Sequence, residues 1–346
     1  MDFQFFRENA TMRGYVIEHN LLRQAELTDP VEPGPGEALV RVRSVSLNYR
    51  DLMVARGRYG RPFEGTFVAG SDMAGDVLAT GSGVEHLRPG DRVVNAPFLD
   101  WPAGRLTPDG MKTLVGAGGV DGVLCERVRY PAAALVPMPS HFTYHEGATL
   151  PIAGLTAWAS VVSQGRALAG EWVLLHGTGG VSVFAAQLAR IAGARALLTT
   201  SSEDKAGRMK AAFGVVETFD YRDDDWPERV RSFTGGTGVD LVVDVAGGQT
   251  FANSLKACAL HARVSLVGIL DGFETRLNPF DIIGRQIQVR GIYTSSAEDL
   301  RDLARACEAS KLSPCIDRVF PFDEVPAAYD YLESQRHIGK IVCAMP

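Results

Sequence analysis

The stretch Val173–Ala189, VLLHGTGGVSVFAAQLA, constrains this chain more than any other: an apolar strand runs into glycines and leaves directly as an amphipathic helix. A diphosphate needs backbone N–H groups that no Cβ shields, together with the positive end of a helix dipole. Gly177, Gly179 and Gly180, with Thr178 between them and Val181 and Ser182 opening the helix, offer that arrangement, and the segment reads as a dinucleotide-binding turn. Ser182 stands where a third glycine is usual and is still small enough for close packing of helix on strand. Val181, Phe184, Leu188 and Ile191 recur at helical spacing, Gly193 supplies a C-terminal stop, and Ala196–Thr200 reads as the next strand.

The surroundings of the turn agree with it. A chain of 346 residues that is 46% hydrophobic has the length for about two globular domains. From Ala38 to Ala96 short strands are split by glycine and proline, as in ALVRVRSVSLNYRD, which is the pattern of a small β-barrel. Beyond Pro151 strands alternate with helices. The strands are expected at Trp172–His176, Ala196–Thr200, Val215–Tyr221, Val239–Val245, Arg263–Gly268 and Ile287–Tyr293, which implies an α/β fold with a parallel, doubly wound sheet. After Ser296 come a helix within DLRDLARACEASKL and a closing strand, GKIVCAM, that can return to the barrel. The segment from Pro97 to Gly122 is rich in glycine and proline and is expected to lack strand and helix; the border of a pocket and a mobile surface loop are both open readings of it.

Charge and cysteine usage narrow the function classes. A net charge of −6 gives no basic field for nucleic acid. Cys125, Cys258, Cys307, Cys315 and Cys343 are scattered without CxxC spacing, against both a disulfide framework and a cysteine-rich zinc site. The first twenty residues carry charge and polarity throughout rather than a signal-peptide core, and no run of about 18 apolar residues suggests a membrane span. A cytoplasmic location with no membrane partner is therefore expected.

The end of the second strand of a dinucleotide fold faces the adenosine ribose, and an Asp or Glu there selects NAD. Here that end reads ALLTTSSEDK: Thr200 takes the acidic position, and Ser201, Ser202 and Lys205 offer hydroxyls and a cation to a 2′-phosphate. NADPH (with NADP+ as its oxidised form) is the preferred cofactor. Glu203 and Asp204 read as first-turn carboxylates of the following helix. Tyr221, ending FDYRDD, is either a cover for the adenine, a phosphate contact, or a half-buried strand-end aromatic.

The segments EALVRVRSVSLNYRDLMVARGRY, GSDMAGDV, LPIAGLTAW, VLLHGTGGVSVFAAQLA and GKIV follow one another in an order and spacing that resembles the medium-chain dehydrogenase/reductase superfamily. The resemblance covers nearly the whole chain. It implies a GroES-like β-barrel catalytic domain from residues 1–152 and 296–346, a Rossmann NADP(H)-binding domain with a six-stranded parallel sheet at 153–295, and an active site in the cleft between them. It also implies a homodimer joined through the sixth strand, near Ile287–Tyr293.

Zinc alcohol dehydrogenases of this superfamily hold their catalytic metal with a Cys, a His-Glu pair and a later Cys or Asp. The matching positions here are Asn48, Ser71 with Asp72, and Ile152, which offer no good nitrogen or sulfur ligand, whereas catalytic zinc takes three protein ligands and a water. The four-cysteine lobe of a structural zinc is missing too, since Pro97 to Gly122 contains no cysteine. A zinc-free enzyme is expected, with no metal ligands. The motif LNYRD, with Asn48 in the first ligand position, resembles the quinone oxidoreductases and enoyl reductases, which also carry a tyrosine eight residues after the aspartate: from Asp51 that is Tyr59. By the same resemblance Thr156 approaches the nicotinamide, Val245, Gly268 and Ile269 line the cleft at strand ends, Ser201, Lys205 and Tyr221 serve the 2′-phosphate, and Lys340 of GKIV lies near the cleft.

The implied reaction passes hydride from NADPH to the β-carbon of a small-molecule enone, enal or quinone, while Asn48 or Tyr59 hydrogen-bonds the developing enolate oxygen. Asp51 is expected to fix the LNYRD loop through backbone hydrogen bonds. Two alternatives stand beside this: a zinc-free NADP(H)-dependent alcohol dehydrogenase or carbonyl reductase, and a noncatalytic NADPH-binding structural protein.

Overall fold

A computed structural model describes residues 11–30, 32–60, 65–117 and 119–346. The expectation about the N-terminal segment thus falls in part on residues 1–10, which lie outside the described residues. Six parallel strands, Trp172–His176, Arg195–Thr199, Val215–Phe219, Val239–Asp244, Cys258–Leu266 and Gln288–Gly291, form one sheet. Numbered in chain order they run 3-2-1-4-5-6, the doubly wound order that reverses beside the first strand. The central strands are apolar runs rather than alternating ones because helices cover both faces; Val173, Leu174, Leu175, Leu197 and Val242 are fully buried. The helix Gly180–Ile191 follows the first strand, as the glycine turn requires.

Several strands stop sooner than the sequence pattern suggested. Tyr221 lies beyond Phe219, Val245 just beyond Asp244, and Gly268 beyond Leu266. At each place the chain leaves the ladder at the carboxyl edge of the sheet, where open α/β sheets bind ligands, so these residues face a crevice instead of pairing. Ile191 differs as well: it is 49% exposed, falling on the outer side of the last turn while Leu188 and Ala189 of that turn stay buried.

The second sheet has seven strands and draws on both ends of the chain. It runs Ile316–Pro321, Lys340–Ala344, Glu37–Leu47, Asp72–Thr80, Arg92–Asn95 and Leu135–Pro137, with Arg127–Pro131 also paired to Glu37–Leu47. In the pairing of Lys340–Ala344 with Glu37–Leu47, Ile341 stands opposite Leu47, and this register sets Lys340 beside Asn48. A smaller sheet of Leu21–Thr28, Thr11–Glu18 and Thr66–Val68 completes the GroES-like domain. Among the described residues no helix is long and apolar enough to cross a membrane.

The segment 97–122 corrects the expectation of a featureless connection. It holds a 3-10 turn at Gly110–Thr113, and bridges pair Phe98 with Leu114 and Val115 with Val120. Arg50 pins it by donating to the carbonyls of Val115 (2.9 Å) and Gly116 (3.3 Å), polar partners that no sequence periodicity announces.

Candidate active site

The two domains enclose a cleft of about 590 Å³. Its floor is the glycine turn. Gly177 adopts φ +66°, a conformation glycine takes without strain, and its N–H donates to Thr199 O at 2.8 Å. Ser182 Oγ donates to His176 O at 2.6 Å, tying the start of the helix to the end of the strand. Gly180 is required for a different reason: a Cβ there would lie 2.4 Å from Lys340 Cδ. Gly179 has nothing within 4 Å of its missing Cβ and bridges to Gly339, whose N–H donates to Thr178 O at 2.9 Å. The turn therefore offers exposed backbone to a ligand while being clamped by Gly339 and Lys340, the start of GKIV.

At one end of the cleft the hydroxyls gather. Ser202 Oγ accepts from Lys205 N–H and caps the helix Glu203–Phe213, with Glu203 and Asp204 in its first turn. The Ser201 and Tyr221 hydroxyls are 3.0 Å apart, and Arg222 Nη2 donates to Ser201 O at 3.1 Å. Lys205 Nζ donates to the carbonyls of Gln335 (2.7 Å) and His337 (3.2 Å), and burial pushes its pKa down. Beside it the buried Nδ1 of His337 has no partner; burial, then Lys205 and Lys340, push this imidazole down to about 4.

At the other end Asn48 caps the helix Tyr49–Ala55, and the buried carboxylate of Asp51 accepts from Asn48 N–H (2.9 Å) and Ser71 Oγ (2.8 Å). Asn48 Nδ2 donates to Ser71 Oγ at 3.2 Å. Lys340, only 3% exposed, sends its ammonium to Leu47 O at 2.6 Å and to Asn48 Oδ1. Asp72 lies fully buried beside them, accepting from Ile152 N–H at 3.1 Å, with its other oxygen unpartnered. Burial pushes Asp72 up to about 7, with Lys340 opposing the rise and Asp51 adding to it. Lys340 is pushed down by the same burial.

The structure brings Asn48, Tyr59 and the whole cofactor set from Thr156 to Lys340 onto the walls of this one cleft. Asp51 lies behind the wall, where it holds Asn48 and Ser71. Arg50, Tyr293, Gln335 and His337 were not foreseen as site residues, and Ser71 was weighed only as a metal position. Arg50 and Ser71 sit inside segments already singled out, but their reach is not visible in the chain, and Gln335 and His337 carry no motif at all. Among the described residues no group of three or more His, Cys, Asp or Glu side chains is placed to hold a metal ion.

Family comparison agrees with this architecture. Residues 34–140 match the family described as alcohol dehydrogenase GroES-like domain, and residues 180–309 match zinc-binding dehydrogenase. A zinc-type alcohol dehydrogenase-like protein of Schizosaccharomyces pombe is 37% identical, covering 93% of this chain and 94% of its own length. The chain belongs to the medium-chain dehydrogenase/reductase superfamily. As an oxidoreductase of that superfamily it is also similar to the quinone oxidoreductase of Rattus norvegicus, 26% identical over 91% of this chain and 92% of the relative. Among solved structures, an NAD-dependent alcohol dehydrogenase is 35% identical with a TM-score of 0.88, covering 97% of this chain and 100% of its own. A mycobacterial protein complexed with NADPH is 27% identical, TM-score 0.81, covering 96% of this chain and 100% of its own.

Proposed function

We propose that this chain is a zinc-independent, NADPH-dependent reductase that delivers hydride to an α,β-unsaturated carbonyl or a quinone. The observation that carries the reading is the Lys340 ammonium, buried and bonded to Asn48 Oδ1 and Leu47 O. Zinc takes nitrogen, sulfur or carboxylate ligands, and a catalytic site needs three of them. Here the Asn48 carbonyl is already engaged by a cation, Ser71 donates to Asp51, and Ile152 offers only its backbone N–H to Asp72. The corner carries its own positive charge, and its donors do not fit the metal.

Without a Lewis acid, reduction of an isolated carbonyl loses several kcal/mol of alkoxide stabilisation, a need that conjugated acceptors lessen by spreading the charge. NADPH, when bound, supplies the hydride. Thr178, Gly179, Gly180 and Val181 line the N-terminal end of the helix Gly180–Ile191, which would face its diphosphate, while Gly177 and Ser182 hold the turn in shape through Thr199 O and His176 O. Thr200, Ser201, Ser202, Lys205 and Tyr221 surround its 2′-phosphate, and Thr156, Val245, Gly268 and Ile269 line the nicotinamide end. Asn48 and Tyr59 face the substrate oxygen. Lys340 packs its stem under Gly180 and turns its ammonium toward Asn48, joining the two ends of the site. The catalytic domain comprises residues 1–152 and 296–346 and the cofactor domain 153–295, a division supported by the place of Lys340–Ala344 in the seven-stranded sheet.

The test is NADPH oxidation by metal-analysed protein, with and without chelator, against a matched enone, quinone and saturated ketone. Chelator-resistant turnover that is faster on the conjugated acceptors is the expected result. Loss of turnover with chelator would refute zinc independence. Faster turnover of the saturated ketone would favour the alcohol dehydrogenase reading, to which the names of two of the relatives above lend support. Thermal stabilisation by NADPH with no consumption on any acceptor would favour a noncatalytic binding protein.

A homodimer belongs to the same proposal. The edge strand Gln288–Gly291 is exposed along its length, and Phe280 and Ile283 just before it are 69% and 66% exposed. An open edge flanked by apolar side chains suits a second copy of the same strand. Light scattering should report twice the mass of one chain.

A further inference from the structure

Two tyrosine hydroxyls meet across the mouth of the cleft. Tyr59 follows the helix Tyr49–Ala55 of the catalytic domain, Tyr293 follows the last strand of the Rossmann sheet, and their oxygens are 2.5 Å apart. The Tyr293 ring is held by aromatic rings of the catalytic domain, and the Tyr59 ring by a cation of its own domain. Phe98 packs against Tyr293 with centroids 5.7 Å apart and is itself met edge-on by Trp101 at 5.6 Å. The Arg50 guanidinium lies 5.4 Å from the centroid of the Tyr59 ring, fixed by the Val115 and Gly116 carbonyls and 3.6 Å from Asp51.

A phenol has one O–H and two lone pairs, so one of the pair donates and the other keeps its proton free. Either hydroxyl can donate, and the arrangement in which Tyr293 does so leaves the O–H of Tyr59, the ring under the Arg50 cation, free to act. Loss of water and then the neighbouring Tyr59 push the pKa of Tyr293 well up, so its proton stays on. Tyr59 lies beneath a cation, which favours its ring when that ring becomes negative.

We propose that Tyr293 is a positioning residue for proton transfer by Tyr59: it donates its O–H to the Tyr59 oxygen, leaving the Tyr59 O–H directed into the cleft. This rests on the reading of Tyr59 given above. With hydride supplied by bound NADPH, whose C4–H bond breaks to leave NADP+, a C–H bond would form at the β-carbon of an enone and the C=C electron pair would move toward the carbonyl oxygen. The Tyr59 O–H bond then breaks and its proton passes to the enolate. The acceptor has gained two electrons and two hydrogens, and the Tyr59 phenolate is held by the Tyr293 O–H and the Arg50 cation until water returns the proton.

The experiment compares Tyr59→Phe, Tyr293→Phe and the double variant with the parent enzyme, by kcat, KM, pH profile and solvent deuterium isotope effect on an enone. NADPH affinity and thermal unfolding serve as controls for an intact fold. Tyr293→Phe should lower kcat by about 10-fold with NADPH affinity unchanged and a larger solvent isotope effect. Loss of a donor to the oxygen that becomes negative in the transfer should move the basic limb of the kcat profile to higher pH. The double variant should fall no further than Tyr59→Phe. A Tyr293→Phe enzyme with parental kcat, or with lowered kcat and an unmoved basic limb, overturns the positioning role while leaving Tyr59 in place. Full turnover by Tyr59→Phe overturns both readings.

Discussion

Lys340 and Lys205 both bring a cation to the same cleft, but one does so from the interior and the other from the rim. Lys340 is 3% exposed, its ammonium taken up by Leu47 O and Asn48 Oδ1, with Asp72 and Asp51 as the nearby negative charges. Lys205 is half-buried; it rests on two backbone carbonyls near the end of the chain, and Asp317 is its favourable charge. A buried charge whose partner is removed costs several kcal/mol, whereas a charge at the rim is screened and free to change partners. The comparison teaches that Lys340 is part of the fold at the reacting end of the site, while Lys205 remains available to a ligand.

The largest effect should come from breaking the interior half. Lys340→Met leaves the buried Asp72 without its cation and Asn48 Oδ1 and Leu47 O without their donor, and should cost about 3–5 kcal/mol in urea unfolding. The pH dependence sharpens this. Asp72 holds its proton to about 7 in the folded protein against an ordinary 3.8, so the folded state binds more protons and stability falls as pH rises across that window. Without Lys340 the window should extend upward, making the loss greater at pH 8 than at pH 6. A cost under ~1 kcal/mol would mean that the interior cation is as dispensable as a surface one.

Next in size, Tyr59→Phe should reduce turnover by about 100-fold with NADPH affinity preserved, as loss of a general acid does. Unchanged turnover would demote this tyrosine to packing. At the rim, Lys205→Ala should weaken NADPH binding by roughly 10- to 100-fold, the equivalent of one charge-assisted contact of about 1.5–3 kcal/mol, and leave NADH nearly unchanged. Equal losses for the two cofactors would refute the 2′-phosphate assignment and erase the contrast between the lysines. The smallest effect concerns His337, whose folded pKa of about 4 lies below its ordinary 6.5. The unfolded chain binds more protons between those values, so stability is lost as pH falls through them. His337→Gln should therefore show a shallower fall in Tm from pH 6.5 to pH 4 than the parent.

Reading the chain alone reached the Rossmann half further than the catalytic half. The glycine turn, the strand and helix alternation and the helix start at Glu203 and Asp204 are short-range matters, and each lies where the residues suggested. The segment 97–122 was opaque because its order comes from Arg50 and from bridges within an irregular path, not from periodicity. Tyr221, Val245 and Gly268 were placed in strands because an apolar run does not mark where the ladder stops.

The amino-acid sequence by itself determined the two kinds of sheet, the turn that faces the cleft and the lack of any Cys or His at Asn48, Ser71, Asp72 and Ile152, since side-chain chemistry and local periodicity are carried by neighbouring residues. Only the tertiary structure decided that Lys340 meets Asn48 across 292 positions, that Lys205 meets the Gln335 carbonyl across 130, and that Tyr59 meets Tyr293 across 234. Those contacts form between side-chain or backbone atoms brought together by sheet register and by the packing of one domain on the other, and no spacing along the chain encodes either.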